Sequence, residues 1–471
     1  MKNKNLWNKY TARQLKECEE FNSEYRQFLD KGKTERECVS VIVNMAEQAG
    51  YVELSEKLKS KKGLKKGDKV YAVNMNKSVV LFNIGKGPLS SGMNILGAHI
   101  DSPRMDVKAN PLYEKSSIAY LDTHYYGGVK KYQWVTIPLS LHGVVVKKDG
   151  MTIELAIGED EDDPVFFVSD LLIHLASKQM AKKGSEVIEG EALDIIVGNR
   201  PIKIRSAKDN AEKEEKDPVR KMIVKILKDE YGVEEDDFQS AELEVVPAGK
   251  AREAGLDRSM ILAYGQDDRV CAFASLYAFL KCPDVDRTAC LILTDKEEIG
   301  SVGATGMKSL FFENVIAKLV GCEGTYSELT VRDCLVNSCM LSSDVNAAFD
   351  PTYESVFDRN NSSYLGEGMV LSKYTGSRGK SGSNDANAEY IAYLRRIFDA
   401  AKVDYQIAEL GKVDAGGGGT IAYIMATYGM NVIDAGIAVL NMHAPFEATS
   451  KADTYETMRG YIAFLKAEGC I

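Results

Sequence analysis

The order of apolar and polar positions divides the chain into three parts. The first fifty residues predict two helices, and Thr34 with Glu37 forms a capping box at the start of the second helix. Two strands are expected over 69–73 and 78–84, and a short buried strand is expected over 94–99, which ends in His99. The first part therefore joins a helical beginning to the first strands of a sheet.

The middle part is richer in strand patterns. Residues 135–146 and 151–157 predict a β-hairpin around a polar Lys-Lys-Asp-Gly turn. Ser169 is expected to begin a helix, and 206–216 is dense in charge and is interpreted as a solvated loop. Two further regular elements are predicted here, a helix from Pro218 through Lys228 and a strand over 241–246.

In the last part, from residue 259 onward, strand-like and helix-like stretches alternate. This alternation predicts an α/β fold, in which a mixed sheet is covered on both faces by helices. The helix-like stretches follow Asp267, Ser309, Asp385, Thr420 and Ser450. The strand-like runs span 289–294, 337–342, 405–410 and 432–440.

Composition narrows the functional classes. The chain has 471 residues, of which 45% are apolar, so it is long enough for two or three domains and a large core. A net charge of −10 argues against a general nucleic-acid binder or a protein that binds acidic membranes. No apolar run reaches the roughly 18 residues that a membrane span needs. We therefore expect neither nucleic acid nor membrane as a partner.

The cysteines and the N-terminus point to a cytoplasmic protein. The nine cysteines are scattered and none forms a C-x-x-C pair, so reduced thiols are expected rather than a disulfide framework or a thiolate zinc site. The first residues are charged and lack the apolar stretch of a secretory signal.

Acidic residues and histidines follow several of the predicted strands. His99 ends one strand, and Asp101 lies on the same face of an extended chain, where it could orient a metal-binding imidazole. A histidine at a strand end that serves structure alone remains the alternative. Asp267 and Asp268 precede an apolar helix, where one of them is expected to cap the helix.

The strongest of these segments is an acidic cluster directly after a buried strand. Glu297 and Glu298 would repel each other there unless a cation or a proton holds them, although a solvated turn remains open. In a metal site one carboxylate can bind the ion while the other takes a proton from water. Asp344 and His443 lie in two further segments of the same kind.

These segments supply nitrogen and oxygen ligands without cysteine, which suits zinc, manganese or cobalt. Five ligands exceed the need of one catalytic zinc. They fit two divalent metal ions about 3.5–4 Å apart that share one carboxylate. We expect zinc at both positions, with manganese and cobalt as alternatives.

The order of the motifs resembles a known family. Gly-Ala-His-x-Asp-Ser-Pro, Asp-Asp-Arg, Glu-Glu-Ile-Gly-Ser, Ser-Asp and Met-His-Ala occur in the order found in the aspartyl aminopeptidase and vacuolar aminopeptidase I family, the family-eighteen zinc metallopeptidases. The resemblance covers residues 15–471 and is greatest to the bacterial aminopeptidase I branch. It implies the following roles: His99 and Asp344 as ligands of one ion, Glu298 and His443 as ligands of the other, Asp267 as the bridging carboxylate, Glu297 as the general base, and Asp101 as the residue that orients His99.

The resemblance also implies an architecture and a reaction. The catalytic metallopeptidase domain would comprise 1–106 and 250–471, with a smaller β-rich oligomerisation domain inserted at 107–249. Members of the family form tetrahedral homo-dodecamers. The implied reaction removes the N-terminal amino acid from peptides with a free N-terminus, by means of a water that bridges the two metal ions and a glutamate base.

Substrate preference is predicted from a departure from the family pattern. Family members that favour acidic N-terminal residues carry a histidine shortly after the third carboxylate motif, where this chain has Asp350. Since a carboxylate repels acidic side chains, neutral or hydrophobic N-terminal residues are favoured over acidic ones. The alternatives are an aspartyl- or glutamyl-specific aminopeptidase, a carboxypeptidase or amide hydrolase of the same clan, and a non-catalytic oligomeric shell protein.

Overall fold

The computed structural model describes residues 5–59, 63–203, 216–324, 326–376 and 379–470. In these ranges the α-helices are α1 Ala12–Lys31, α2 Glu35–Gln48, α3 Leu54–Lys59, α4 Ser177–Met180, α5 Pro218–Tyr231, α6 Gln266–Leu280, α7 Phe311–Glu323, α8 Glu328–Val336, α9 Ala388–Ala401, α10 Ala422–Ala426 and α11 Lys451–Leu465.

The strands are β1 Val52–Glu53, β2 Lys69–Asn74, β3 Ser78–Asn83, β4 Asn94–His99, β5 Arg104–Lys115, β6 Ile118–Tyr126, β7 Leu139–Val146, β8 Thr152–Ile157, β9 Ile195–Gly198, β10 Ala241–Pro247, β11 Arg252–Ala254, β12 Met260–Ala263, β13 Ala289–Thr294, β14 Cys339–Ser342, β15 Asn346–Ala347, β16 Met369–Ser372, β17 Tyr405–Ala408, β18 Asn431–Gly436, β19 Ala438–Leu440 and β20 Glu447–Ser450.

The chain divides into two compact units. The first comprises Met1–Ser102, Ala251–Met442 and Phe446–Ile471, and the second comprises Pro103–Lys250 together with His443–Pro445. The catalytic and oligomerisation roles expected for the two predicted domains stay predictions.

A nine-stranded sheet organises the first unit, in the order β1-β2-β3-β13-β4-β14-β18-β16-β17. Its central strands β13, β4, β14 and β18 are parallel, so their carboxyl ends meet at one edge. Alternate residues enter two apolar cores, Leu96 and Leu291 on one face and Ile95 and Ile292 on the other. Helices α1, α6 and α11 line the first core and α7 and α8 the second. The predicted mixed α/β class is confirmed.

Many predicted elements agree with the structure. The capping box of Thr34 and Glu37 is present, and β13 has the predicted bounds. A second, five-stranded sheet of the first unit, in the order β11-β12-β20-β19-β15, pairs β12 with β20 just before the Asp267 segment. The predicted run over 432–440 divides into β18 and β19, which belong to different sheets.

The second unit is built on a six-stranded sheet in the order β8-β7-β10-β5-β6-β9, and all of its strand pairs are antiparallel. The predicted hairpin corresponds to β7 and β8. Strand β7 begins after Pro138, four residues later than expected, and proline has no N–H to donate to a ladder.

The helix predicted to begin at Ser169 is wrong. Leu172 is extended, and only a 3-10 turn over Ile173–Leu175 and the four-residue α4 follow. Leu171, Leu172 and Ile173 are consecutive apolar residues, which one helix face cannot bury together. All three are exposed. The predicted loop over 206–216 lies outside the described residues, apart from Lys216.

Two cysteines depart from the expectation of reduced thiols. Cys339 and Cys470 form a disulfide, whereas the other seven cysteines in the described part of the chain are free. The cytoplasmic location therefore stays a prediction from the sequence. Within the described ranges no helix combines the length and the apolar character needed to cross a bilayer.

Candidate metal and catalytic site

Polar side chains lie at or just after the carboxyl ends of three neighbouring parallel strands, which meet at one edge of the nine-stranded sheet. His99 is the last residue of β4, and it pairs in register with Thr294 at the end of β13. Strand β14, on the other side of β4, ends two residues before Asp344. The segments that carry His99, Glu297 and Asp344 therefore start from the same edge.

His99 lies between two aspartates. Its Nε2 is 3.3 Å from Oδ1 of Asp267, and its Nδ1 is 3.3 Å from Oδ1 of Asp101 and 3.0 Å from the Asp101 carbonyl oxygen. All three residues are buried. The ring therefore faces Asp101 through Nδ1 and Asp267 through Nε2, an arrangement that is typical of metal-binding histidines.

Asp344 completes a cluster with His99 and Asp267. One potential ligand atom from each of the three residues lies within 4.8 Å of the others. Burial, followed by repulsion from Asp268 and Asp267, raises the pKa of Asp344 well above its usual range. Because a divalent cation would offset this repulsion, and an imidazole with two carboxylates is a typical zinc donor set, these residues fit a metal ion.

One of the two aspartates is expected to cap the helix, and with Asp267 predicted as a metal ligand this would be Asp268; this expectation is wrong. No side chain caps α6 at Gly265, which adopts the left-handed conformation (φ 70°), and Asp267 (φ −81°, ψ 105°) and Asp268 (φ −116°, ψ 26°) have non-helical backbone angles at its beginning. The peptide bond between Asp267 and Asp268 is cis. Asp268 is fully buried, and this burial raises its pKa well above its usual range.

The acidic turn after β13 is tied to Asp101. Glu297 and Glu298 begin a 3-10 turn, and both are half-buried. Their backbone N–H groups donate to the two carboxylate oxygens of Asp101, over 3.1 Å and 3.2 Å. The same carboxylate therefore contacts the His99 ring and holds the backbone of both glutamates.

Two buried residues that support this geometry were missed by the sequence analysis. Glu447 accepts a hydrogen bond from the backbone N–H of Asp267 over 2.9 Å. Arg269 donates from Nε to the carbonyl of Ile100, between His99 and Asp101, and from Nη2 to the carbonyl of Lys33. An arginine inside the apolar run that follows Asp-Asp was an available signal, because arginine is rarely buried without partners.

His443 belongs to the segment that groups with the second unit. Its Nδ1 lies 2.8 Å from the carbonyl oxygen of Gly128 in the same unit. It is half-buried and has a positive φ of 63°. Its predicted role as a ligand, together with Glu298, stays a prediction.

Comparison with known proteins decides the family. The model of the family described as aminopeptidase I zinc metalloprotease (M18) matches residues 28–465. The chain belongs to the M18 family of aminopeptidases. This membership makes it a metallopeptidase, a hydrolase that acts on peptides. The predicted resemblance is thereby confirmed.

Individual relatives agree with this family assignment. A probable M18 family aminopeptidase 1 from Clostridium acetobutylicum is 58% identical over 462 residues, which cover 98% of each chain. The crystal structure of an M18 aminopeptidase from Thermotoga maritima is 44% identical, covers 99% of each chain and superimposes with a TM-score of 0.93. The structure of the S. cerevisiae mApe1 dodecamer has a TM-score of 0.73 at 20% identity, covers 94% of this chain and 96% of its own, and shows a shared fold.

Proposed function

We propose that this M18 member removes the N-terminal amino acid from peptides with the help of two divalent ions, zinc in the first instance. His99, Asp267 and Asp344 would hold one ion, and Asp267, Glu298 and His443 the other. The observation that carries the proposal is that His99 and Asp344, at the carboxyl ends of parallel strands, form a cluster with Asp267. The second ligand set rests on the matching family motifs.

The residues around this cluster have separate tasks in the proposed reaction. When bound, the ions supply Lewis-acid chemistry, in that they polarise the peptide carbonyl and acidify water. Glu297 takes a proton from the attacking water and gives it to the departing amine. Asp101 orients the ring of His99 and, through the N–H groups it accepts, holds the turn that carries Glu297.

Replacement of the base tests this division of tasks. Glu297→Gln keeps the size of the side chain but cannot accept the proton, so kcat should fall by about 10²–10⁴. Metal content, measured by atomic emission, should equal that of the wild type. Glu389→Gln, at an exposed position in α9, is the control and should keep full activity. Near-normal turnover by Glu297→Gln would show that Glu297 is not the general base.

Metal removal and blocked substrates separate the rival functions. Dialysis against a chelator should abolish peptide cleavage, and added zinc, manganese or cobalt should restore it. An acetylated N-terminus should prevent cleavage of a peptide whose free form is cut. Cleavage of both forms at equal rates would favour a carboxypeptidase or another amide hydrolase, whereas no cleavage of either form by metal-loaded protein would favour a non-catalytic shell protein.

We further propose a preference for neutral or hydrophobic N-terminal residues over acidic ones. Asp350 begins a 3-10 helix over Pro351–Val356, and its carboxylate accepts the N–H of Thr352 over 2.8 Å. This carboxylate would repel an acidic side chain of the substrate. A panel of aminoacyl-nitroanilides should give a higher kcat/KM for Leu than for Asp or Glu. A tenfold preference for Asp or Glu would contradict the proposal.

Self-association into a tetrahedral dodecamer is proposed through the second unit. This unit exposes a run of large apolar side chains, and exposed patches of this kind mark interaction sites. They are Val165, Phe167, Leu171, Leu172, Ile173, Leu175 and Met180. Ile173→Asp should lower the molar mass in light scattering, whereas Leu329→Asp, at an equally exposed position in α8, should not. An unchanged mass for Ile173→Asp would refute this use of the run.

A further inference from the structure

The turn that carries Glu297 contains a buried carboxylate that the reaction described above does not use. Asp295 directly follows β13 and is 1% exposed. One of its oxygens accepts the N–H of Lys296 over 2.7 Å, and the other accepts the hydroxyl of Thr305 over 2.5 Å. A parallel β-bridge also joins Asp295 to Gly306. Asp295 therefore fastens the beginning of the turn to the segment that follows it.

The backbone of this turn needs such support. Lys296 and Ser301, which flank the two glutamates, adopt positive φ angles of 64° and 56°. Residues with a Cβ rarely adopt these φ angles, and such a backbone conformation persists only where surrounding contacts hold it. The N–H of Ser301 donates to the carbonyl of Lys296 over 2.6 Å and closes the turn. The position of Glu297 thus depends on contacts at both ends of a strained segment.

Two buried carboxylates hold the turn from different sides. Asp101 accepts the N–H groups of Glu297 and Glu298, whereas Asp295 accepts the N–H of Lys296 just before them. Burial, followed by repulsion from Glu35 and Asp101, raises the pKa of Asp295 to about 7, although the Thr305 hydroxyl and Lys77 oppose this rise. A buried carboxyl group near other acidic residues lowers the stability of the fold, so the hydrogen bonds that Asp295 makes to the turn require an explanation.

We propose that Asp295 and Thr305 are positioning residues that fix the direction of Glu297 through the Lys296 peptide. The inference rests on the proposed role of Glu297 as the base. Neither residue touches the reacting atoms. Loss of the Thr305 hydroxyl frees one oxygen of Asp295, loosens the start of the turn and moves Glu297 away from the water it deprotonates.

The experiment uses three variants of the full chain. Thr305→Val removes the hydroxyl at nearly constant volume, and Thr305→Ser restores it. Thr288→Val is the matched control, because Thr288 is also buried, lies at the opposite end of β13, and accepts the N–H of Gly85 through its hydroxyl over 3.0 Å. Thr305→Val should lower kcat tenfold or more, with KM within twofold of the wild type and metal content unchanged. Thr305→Ser should restore kcat to within threefold, and Thr288→Val should keep it within twofold.

A double variant separates this inference from the proposed function. If Thr305 acts through Glu297, adding Thr305→Val to Glu297→Gln should lower kcat by no more than twofold further. A kcat of Thr305→Val within twofold of the wild type, an equal loss in Thr288→Val, or a fully additive loss in the double variant would each overturn the inference. High activity of Glu297→Gln alone would instead overturn the assignment of the base.

Discussion

Arg269 offers the sharpest test of how the candidate metal site is held together. Its guanidinium is 1% exposed and donates to the carbonyls of Ile100 and Lys33 over 3.2 Å and 2.9 Å. It also lies over the ring of Tyr264, 5.2 Å from the ring centroid. Arg269→Lys keeps the positive charge but removes the planar fork that serves two carbonyls at once.

The expected loss follows from these contacts. A hydrogen bond from a charged donor contributes about 1.5–3 kcal/mol, and a buried carbonyl left without a partner costs a similar amount. A lysine can serve one carbonyl, so we expect a loss of about 2–4 kcal/mol in the free energy of unfolding. Calorimetry should show a melting temperature lower by about 2–6 °C.

The same substitution should weaken metal binding. The Ile100 carbonyl lies between His99 and Asp101, so its release loosens the imidazole and the carboxylate that orients it. Loss of such supporting contacts typically lowers metal affinity about 10–100-fold, which competition with a zinc chelator measures.

Arg287→Lys provides the control for both measurements. Arg287 also donates to two carbonyls, those of Ser91 and Asn337, but these precede β4 and β14 and lie at the opposite edge of the sheet. This variant should lose stability but bind zinc like the wild type. The reasoning is refuted if Arg269→Lys melts and binds zinc like the wild type, or if Arg287→Lys weakens zinc binding to the same extent.

Two further predictions concern stability in the first unit. Gly97→Ala would place a Cβ 2.3 Å from the Met340 methyl group and 3.1 Å from Cγ2 of Ile292. This overpacking should lower the free energy of unfolding by about 1–3 kcal/mol and lower the melting temperature. An unchanged melting temperature would contradict this prediction. Burial raises the pKa of Asp453 to about 7, so the stability that its protonated form provides is present below pH 4 and is lost as the pH rises through 7. In urea titrations, the free energy of unfolding of Asp453→Asn should rise relative to that of the wild type by roughly 1 kcal/mol per pH unit between pH 4 and 7. Parallel pH profiles of the two proteins would refute this reasoning.

The sequence predicts those elements whose burial can be recognised from the local pattern of apolar and polar residues. Residues 289–293 form an unbroken apolar run that Thr294 ends, and β13 spans 289–294 because both faces of a central parallel strand are covered. The same rule places His99 and Asp344 at one edge of the sheet, since His99 ends one buried parallel strand and Asp344 follows another. The metal-binding and catalytic roles of the site residues remain proposals.

Other features depend on partners that are distant in the chain. The pattern of Asp267 and Asp268 resembles a helix start, yet both residues have non-helical backbone angles and Asp268 is fully buried. The partners of Arg269 are the carbonyls of Lys33 and Ile100, which no local pattern reveals. At Ser169 the local apolar content predicts a helix, but the fold provides no core to cover it.

The pairing of β4 also affects when the enzyme becomes active during synthesis. Strand β4 leaves the ribosome early, but its neighbours in the sheet are β13 and β14, which are translated after the Pro103–Lys250 segment of the second unit. At elongation rates of roughly 5–20 residues per second, the nascent chain holds β4 unpaired for about ten seconds or longer. Contacts this distant in sequence also slow folding. Peptide cleavage should therefore be absent from unfinished chains, which keeps the growing polypeptide from exposing a working protease.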